Sequence, residues 1–305
     1  MLKWIIFHSC IGLFLALDLG VFHRKDRVDS LRESLFWTVL WISVAVAFNV
    51  GIYLTYDDLG SQKATEFFTG YILEKTLSLD NIFVFVMIFR TQHIPAIYQH
   101  RVLFWGILGA IFLRGGFILL GVELIESISW IMYIMGAFLF LTGLKIFVMG
   151  ESHDIQDSRF IAFLKKRLPI SKDFDGHNFT TREKGKFLFT PLFIALVSVE
   201  FTDLVFAIDS IPAILAVTKD PFIVYTSNIF AILGLRSMYF LLRGVVDKFH
   251  FLKYGIAVIL MFIGVKLAIM ELYHIPAEYS LIVILSILVL TISASHIYSA
   301  TRKEK

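Results

Sequence analysis

Long apolar runs separated by short polar connections make up almost the whole chain. A bilayer core takes about 20 apolar residues per helix, and runs of that kind fall at 4–22, 35–53, 67–89, 102–124, 130–149, 187–216, 222–242, 252–272 and 281–298. The pattern predicts an all-α integral membrane protein of about nine transmembrane helices, one polytopic domain over 1–305. The sixth run is long and contains Pro212, which lacks a backbone donor, so a kinked or broken helix is expected there. The first run is read as a helix rather than a cleaved signal, because Leu17-Asp18-Leu19 is no small-residue cleavage site.

The polar connections alternate in charge. One set holds 20 Lys and Arg, eight of them between Arg159 and Lys186; the other holds only Lys3, Lys63 and Lys219. By the positive-inside rule the N-terminus is expected outside and the C-terminus in the cytoplasm. The bias keeps phase through every connection, which supports the span count. The longest connection, 150–186, is then a cytoplasmic loop. Its stretch 159–167 is basic and amphipathic enough to lie on the membrane surface, although a solvated connector between two halves is the plainer reading.

Those halves repeat each other. Glu74-x5-Asp80-Asn81-Ile82 matches Asp203-x5-Asp209-Ser210-Ile211, Gly106-Ile-Leu-Gly109 matches Ala231-Ile-Leu-Gly234, and Gly143-Leu-Lys145 matches Gly264-Val-Lys266. The order is kept, at offsets of 129, 125 and 121 residues. An odd number of spans per unit turns the second copy upside down, the inverted-repeat plan of secondary transporters. The units are 65–149 (spans three to five) and 187–272 (spans six to eight).

Composition agrees: 57% hydrophobic and 17% charged residues, with a mean hydropathy of +0.76. The single cysteine, Cys10, excludes an internal disulfide, a dithiol redox pair and a multi-cysteine metal site. It is expected as a small buried apolar residue.

Within the spans stand six acids, Asp18, Glu74, Asp80, Glu200, Asp203 and Asp209. A carboxylate at the bilayer centre costs about 2.5–3.5 kcal/mol on insertion scales, so such acids usually face a polar pathway. Together with Asn81, Ser210 and Asn228 they offer oxygen and almost no sulfur or imidazole. That donor set suits hard divalent cations rather than zinc or copper. The structural alternative is pairing with the intramembrane cations Lys75, Arg114, Lys145, Arg236 and Lys266. Asp18 is the acid best suited to that role, and Lys145 and Lys266 are placed to snorkel from helix ends. No Ser/His or His-Glu-x-x-His arrangement accompanies the paired acids, so no enzyme activity is expected.

Two long motifs resemble the signatures of the TerC membrane family. The first is Glu-Lys-Thr-Leu-Ser-Leu-Asp-Asn-Ile-Phe-Val-Phe at 74–85. The second is Glu-Phe-Thr-Asp-Leu-Val-Phe-Ala-Ile-Asp-Ser-Ile-Pro-Ala-Ile at 200–214, followed by Asp-Pro-Phe-Ile-Val-Tyr-Thr-Ser-Asn-Ile-Phe-Ala-Ile-Leu-Gly-Leu-Arg at 220–236. The likeness runs from about 34 to 298. Leu-Lys-Tyr-Gly-Ile-Ala-Val-Ile-Leu at 252–260 and Tyr-His-Ile-Pro at 273–276 are similar to the Alx branch. The resemblance implies an inner-membrane protein of metal handling, chiefly Mn2+ efflux, with its acids matched at Glu74, Asp80, Glu200, Asp203 and Asp209.

Residues and resemblance give one expectation: a multi-pass exporter of a divalent cation, Mn2+ foremost, possibly by proton antiport. The metal site is expected near the midplane between spans three and six, with Glu74, Asp80, Glu200, Asp203 and Asp209 as ligands or proton carriers. Asn81, Ser210 and Asn228 supply neutral oxygens. No cofactor is expected; the partners are the divalent ion and the lipid bilayer, with no nucleic acid. The alternative is a non-transporting membrane partner, delivering metal to secreted proteins or modulating membrane-bound redox complexes. Branch members have been labelled redox modulators, but a single Cys lends that label no chemistry here.

Overall fold

The computed structural model describes residues 2–17, 30–127, 130–149, 163, 166–183, 185–243, 251–270, 272–273 and 275–301. Its elements are α1 (Leu2–Leu17), α2 (Leu31–Thr55), a 3-10 turn (Asp57–Leu59), α3 (Gly60–Thr91), α4 (Ala96–Ser127), α5 (Ile131–Met149), β1 (Thr180–Glu183), β2 (Lys186–Phe189), α6 (Pro191–Leu215), α7 (Pro221–Leu233), α8 (Leu235–Leu242), α9 (Leu252–Ala268) and α10 (Ala277–Thr301). Among the described residues four helices are long and apolar enough to cross a membrane: Leu31–Thr55, Ala96–Gly121, Pro191–Leu215 and Ala277–Tyr298. Their outer faces carry exposed Phe36, Phe112, Leu120 and Leu290, the surface a lipid environment wants.

Helix starts follow local chemistry. Ser30 and Glu33 form a capping box at α2, with Ser30 N donating to Glu33 Oε2 at 2.9 Å. Asp220 caps α7, accepting from the backbone N–H groups of Phe222 and Ile223, with Pro221 at the first helical position.

Three expectations need correction. The sixth run does not begin as helix at 187: Lys186–Phe189 is a strand, paired antiparallel with Thr180–Glu183 in a small hairpin. Helix α6 starts only at Pro191, where Thr190 adopts the extended N-cap conformation. Pro212 does not break α6, which continues to Leu215. The break falls in the next run instead, at Gly234 between α7 and α8. There a Cβ would sit 2.8 Å from Lys75 Nζ. Lys75 donates to the Ala231 carbonyl at 3.1 Å, a group that a continuous helix would pair with the N–H four residues on. Finally, Cys10 is exposed rather than buried. The basic stretch 159–167 lies largely outside the described residues.

The packing has a regular plan. Helix α4 runs parallel to α6, with Gly106 against Val199 and Gly121 against Ile211 and Leu215. Helix α3 runs parallel to α7, where Gly70 nears Ser227 and Lys75 meets Ala231. Helices α5 and α9 lie antiparallel along a glycine seam. A Cβ on Gly143 would stand 2.6 Å from the Ala257 carbonyl, and one on Gly264 2.7 Å from the Gly136 carbonyl. Only hydrogen at these positions lets the backbones approach so closely.

Two apolar cores fill the bundle. One gathers Phe67, Leu73, Leu77, Ile211, Leu215 and Phe230; the other gathers Ile82, Phe85, Phe89, Leu192, Val199 and Leu235. Along α3 and α6 the change from one to the other falls between Leu77 and Ile82 and between Val199 and Ala207. Buried charge sits at that boundary.

Candidate functional site

Helices α3, α4, α6 and α7 each send polar side chains to the boundary between the cores. Arg114 of α4 is the hub. Its Nε donates to Asp203 Oδ2 at 3.0 Å and its Nη2 to Asp203 Oδ1 at 2.7 Å, a two-pronged pairing. Nη1 donates to Glu74 Oε1, to Asn228 Oδ1 at 3.0 Å and to Ser210 Oγ at 3.4 Å. Asn228 closes the ring by donating Nδ2 to Glu74 Oε2 at 3.1 Å, and Asn81 Nδ2 donates to Asp203 Oδ1 at 3.4 Å. Arg114 and Asn228 are wholly buried, Glu74 and Asn81 are 1% exposed, and Asp203 is 6% exposed. Charges this deep persist only when paired and hydrogen-bonded.

Five of the eight sequence-derived candidates, Glu74, Asn81, Asp203, Ser210 and Asn228, therefore meet in one network. Glu200 lies one helical turn from Asp203 and lodges against Gly109, where a Cβ would overlap its carboxylate. Its Oε2 is buried with no hydrogen-bond partner. Asn81 Oδ1 and Ser78 Oγ are likewise buried and unpartnered. Asp80 and Asp209 stand within α3 and α6, but their side chains lie outside the described residues, as does Asp18 altogether.

Sequence reasoning placed Arg114 among five intramembrane cations without singling it out. The structure makes it the centre. The signal was available: a guanidinium stays charged even when buried and presents a rigid five-donor fork, so an arginine in mid-span calls for carboxylate partners. The other cations divide. Lys75 serves the break at Gly234, and Lys145 is exposed. Lys266 does not snorkel; it is 1% exposed and donates to Ser280 Oγ at 2.7 Å.

A cavity of about 10 Å3 touches Asp203, walled by Phe85, Leu103, Val199 and Leu235, which is room for no more than about one water. Among the described residues, no three His, Cys, Asp or Glu side chains gather as a ready metal cluster.

Residues 59–304 match the family model described as "Integral membrane protein TerC family". The chain belongs to this family. Its span includes every polar residue of the network, whereas α1 and α2 precede it. The chain is 50% identical to "Uncharacterized membrane protein STKORF319" of Myxococcus xanthus, over 97% of this chain and 92% of that protein. It is 46% identical to "Putative membrane-bound redox modulator Alx" of Photorhabdus laumondii subsp. laumondii, over 95% of this chain and 93% of that one. The like-named protein of Escherichia coli (strain K12) is 44% identical over 95% and 92%. No solved structure matches the chain. With this membership the apolar helices are those of an integral membrane protein, and the network is a buried polar layer within it.

Proposed function

We propose that this TerC-family protein exports a divalent cation, Mn2+ foremost, from the cytoplasm through the polar layer between α3, α4, α6 and α7. One observation carries the reading. Glu74 and Asp203 already have Arg114 as counter-charge, yet Glu200 adds a third carboxylate one turn away with an unpartnered buried oxygen. Among the described side chains of the layer, three acids against one guanidinium leave a formal surplus of two negative charges. A divalent ion or two protons would balance it. The donors are all oxygen, which favours Mn2+, Mg2+ or Ca2+ over softer metals.

The proposed scaffold is the nine-span inverted repeat in the cell inner membrane, N-terminus outside and C-terminus cytoplasmic. The α3–α7 and α6–α4 pairings support it, because exchanging the two repeat units turns one pairing into the other. The α5–α9 seam supports it too: its contacts Gly143–Ala257 and Gly136–Gly264 exchange under the same offset of 121 residues that relates the third pair of motifs. Moving a divalent ion out against an inside-negative potential costs about 2.3 kcal/mol per charge per 100 mV. Proton antiport supplies that work, since acids that release metal can take up protons. No catalytic role or resident cofactor belongs to this reading.

The second reading is the non-transporting membrane partner. It is favoured by Arg114, which lets Glu74 and Asp203 hold helices together without any metal. Liposomes containing the purified protein and an entrapped Mn2+-sensitive dye decide between them. Carrier-dependent Mn2+ flux that tracks a proton gradient supports transport. No flux of any divalent ion, with unchanged cellular metal content on expression, hands the site to the partner role.

A further inference from the structure

Arg114 holds the place that a cation would need. It engages both Glu74 and Asp203, and its Nη1 also meets the amide oxygen of Asn228 and the hydroxyl of Ser210. Those are the oxygens a hard divalent ion would take. Because α4 and α6 run parallel, the next turn of their interface sets Gly109 against Glu200, whose Oε2 has no partner. The arginine thus has an occupied berth and, one turn along the same interface, a carboxylate oxygen standing unpaired.

Resting on the transport reading above, we infer that Arg114 is a tethered stand-in for the transported cation. Its guanidinium fills the Glu74–Asp203 gap when substrate is absent and turns toward Glu200 when the ion enters. The charge logic is simple. An occluded layer of acids emptied of its cation would leave carboxylates unbalanced in a low-dielectric interior, a state the helices would resist. A side chain that keeps positive charge against Glu74 and Asp203 on the empty stroke lowers that barrier. It also sets a threshold, since the substrate must outcompete a forked guanidinium, and a monovalent ion brings only a single charge to do so.

Equilibrium Mn2+ binding to purified protein in nanodiscs tests this, beside flux in liposomes. In Arg114→Lys the charge stays but the fork onto two acids is lost, so Mn2+ should bind about tenfold tighter or more. The scale is that of one lost charge-assisted hydrogen bond of the fork. In Arg114→Ala, free guanidinium ion at non-denaturing concentration should compete with Mn2+, and it should not do so in the wild type. If Arg114→Ala does not accumulate folded, the Arg114→Lys titration carries the test. Wild-type flux with unchanged or weaker Mn2+ binding in folded Arg114→Lys overturns the stand-in role alone. Absence of both binding and flux in the wild type overturns the transport reading, and this inference with it.

Discussion

Arg114 grips Asp203 by two parallel bonds, Nε to Oδ2 at 3.0 Å and Nη2 to Oδ1 at 2.7 Å, inside the α4–α6 interface. A fork of this kind fixes the register of the two helices as well as balancing charge. Removing one partner strands the other, at about 3–5 kcal/mol for a buried pair. Asp203→Asn and Arg114→Met should each lower the melting temperature of the detergent-solubilised protein. The double variant should lose less than the sum of the two, since Arg114→Met already strands Asp203, although Glu74 still loses its counter-charge. A double variant that melts at the sum of the two single losses would show that the pair is not energetically coupled.

Glu200 offers the opposite case. Its Oε2 has no partner to lose, so Glu200→Gln should leave abundance and melting temperature unchanged or raised. Mn2+ efflux should nonetheless fall steeply. Loss of folded protein without a specific loss of flux would assign Glu200 a structural duty.

Asp80 and Asp209 stand at equivalent positions of the two matching sequence motifs. Asp→Asn at either keeps the size and one oxygen while deleting the charge, so both variants should insert and accumulate but lose efflux. Lys145→Met, at an exposed position, should be tolerated much better. Full efflux in both Asp variants would remove them from the pathway.

Orientation can be checked independently of transport. Reporter fusions at Lys172 and Lys305 should read cytoplasmic, and fusions at Lys219 and Tyr279 should read external. Finding Lys172 and Lys219 on one side would dissolve the inverted repeat.

Helix positions were largely legible, because a bilayer demands an apolar run for each span and runs such as 35–53 and 252–272 coincide with α2 and α9. Four of the proposed ligands were also legible as a set, since Glu74 and Asn81 share a face of α3, and Asp203 and Ser210 match them at the offset of 129 residues. What escaped was tertiary. Lys75 lies in the same motif as Glu74 yet spends its charge on a carbonyl at a helix break, which nothing in α3 announces. Pro212 looked like the break point, but the discontinuity fell at Gly234, where an absent side chain makes room for that lysine. The hairpin at 180–189 was hidden because Lys186-Phe-Leu-Phe reads as the apolar start of a span. Lys266 looked like a helix-end residue and is instead covered by α10 through Ser280.

The seam between α5 and α9 gives a last prediction. A Cβ on Gly264 would lie 2.6 Å from Phe140 N, and one on Gly136 2.7 Å from the Gly264 carbonyl. Overpacking of this sort costs about 1–3 kcal/mol. Gly264→Ala and Gly136→Ala should therefore lower thermal stability, while Gly116→Ala, with open space around it, should not. Equal melting temperatures for all three would mean that the contact is slack.

That seam also has a mechanical meaning. Two helices touching backbone to backbone cannot slide past each other by the small rotamer changes that bulky side chains permit. Under the proposed inverted repeat, the crossing of α5 and α9 falls where the two units exchange, and the polar layer lies apart from it among α3, α4, α6 and α7. On the proposed transport reading, a slight tilt at the glycines would become a larger parting at Arg114, opening the layer to one face of the membrane at a time.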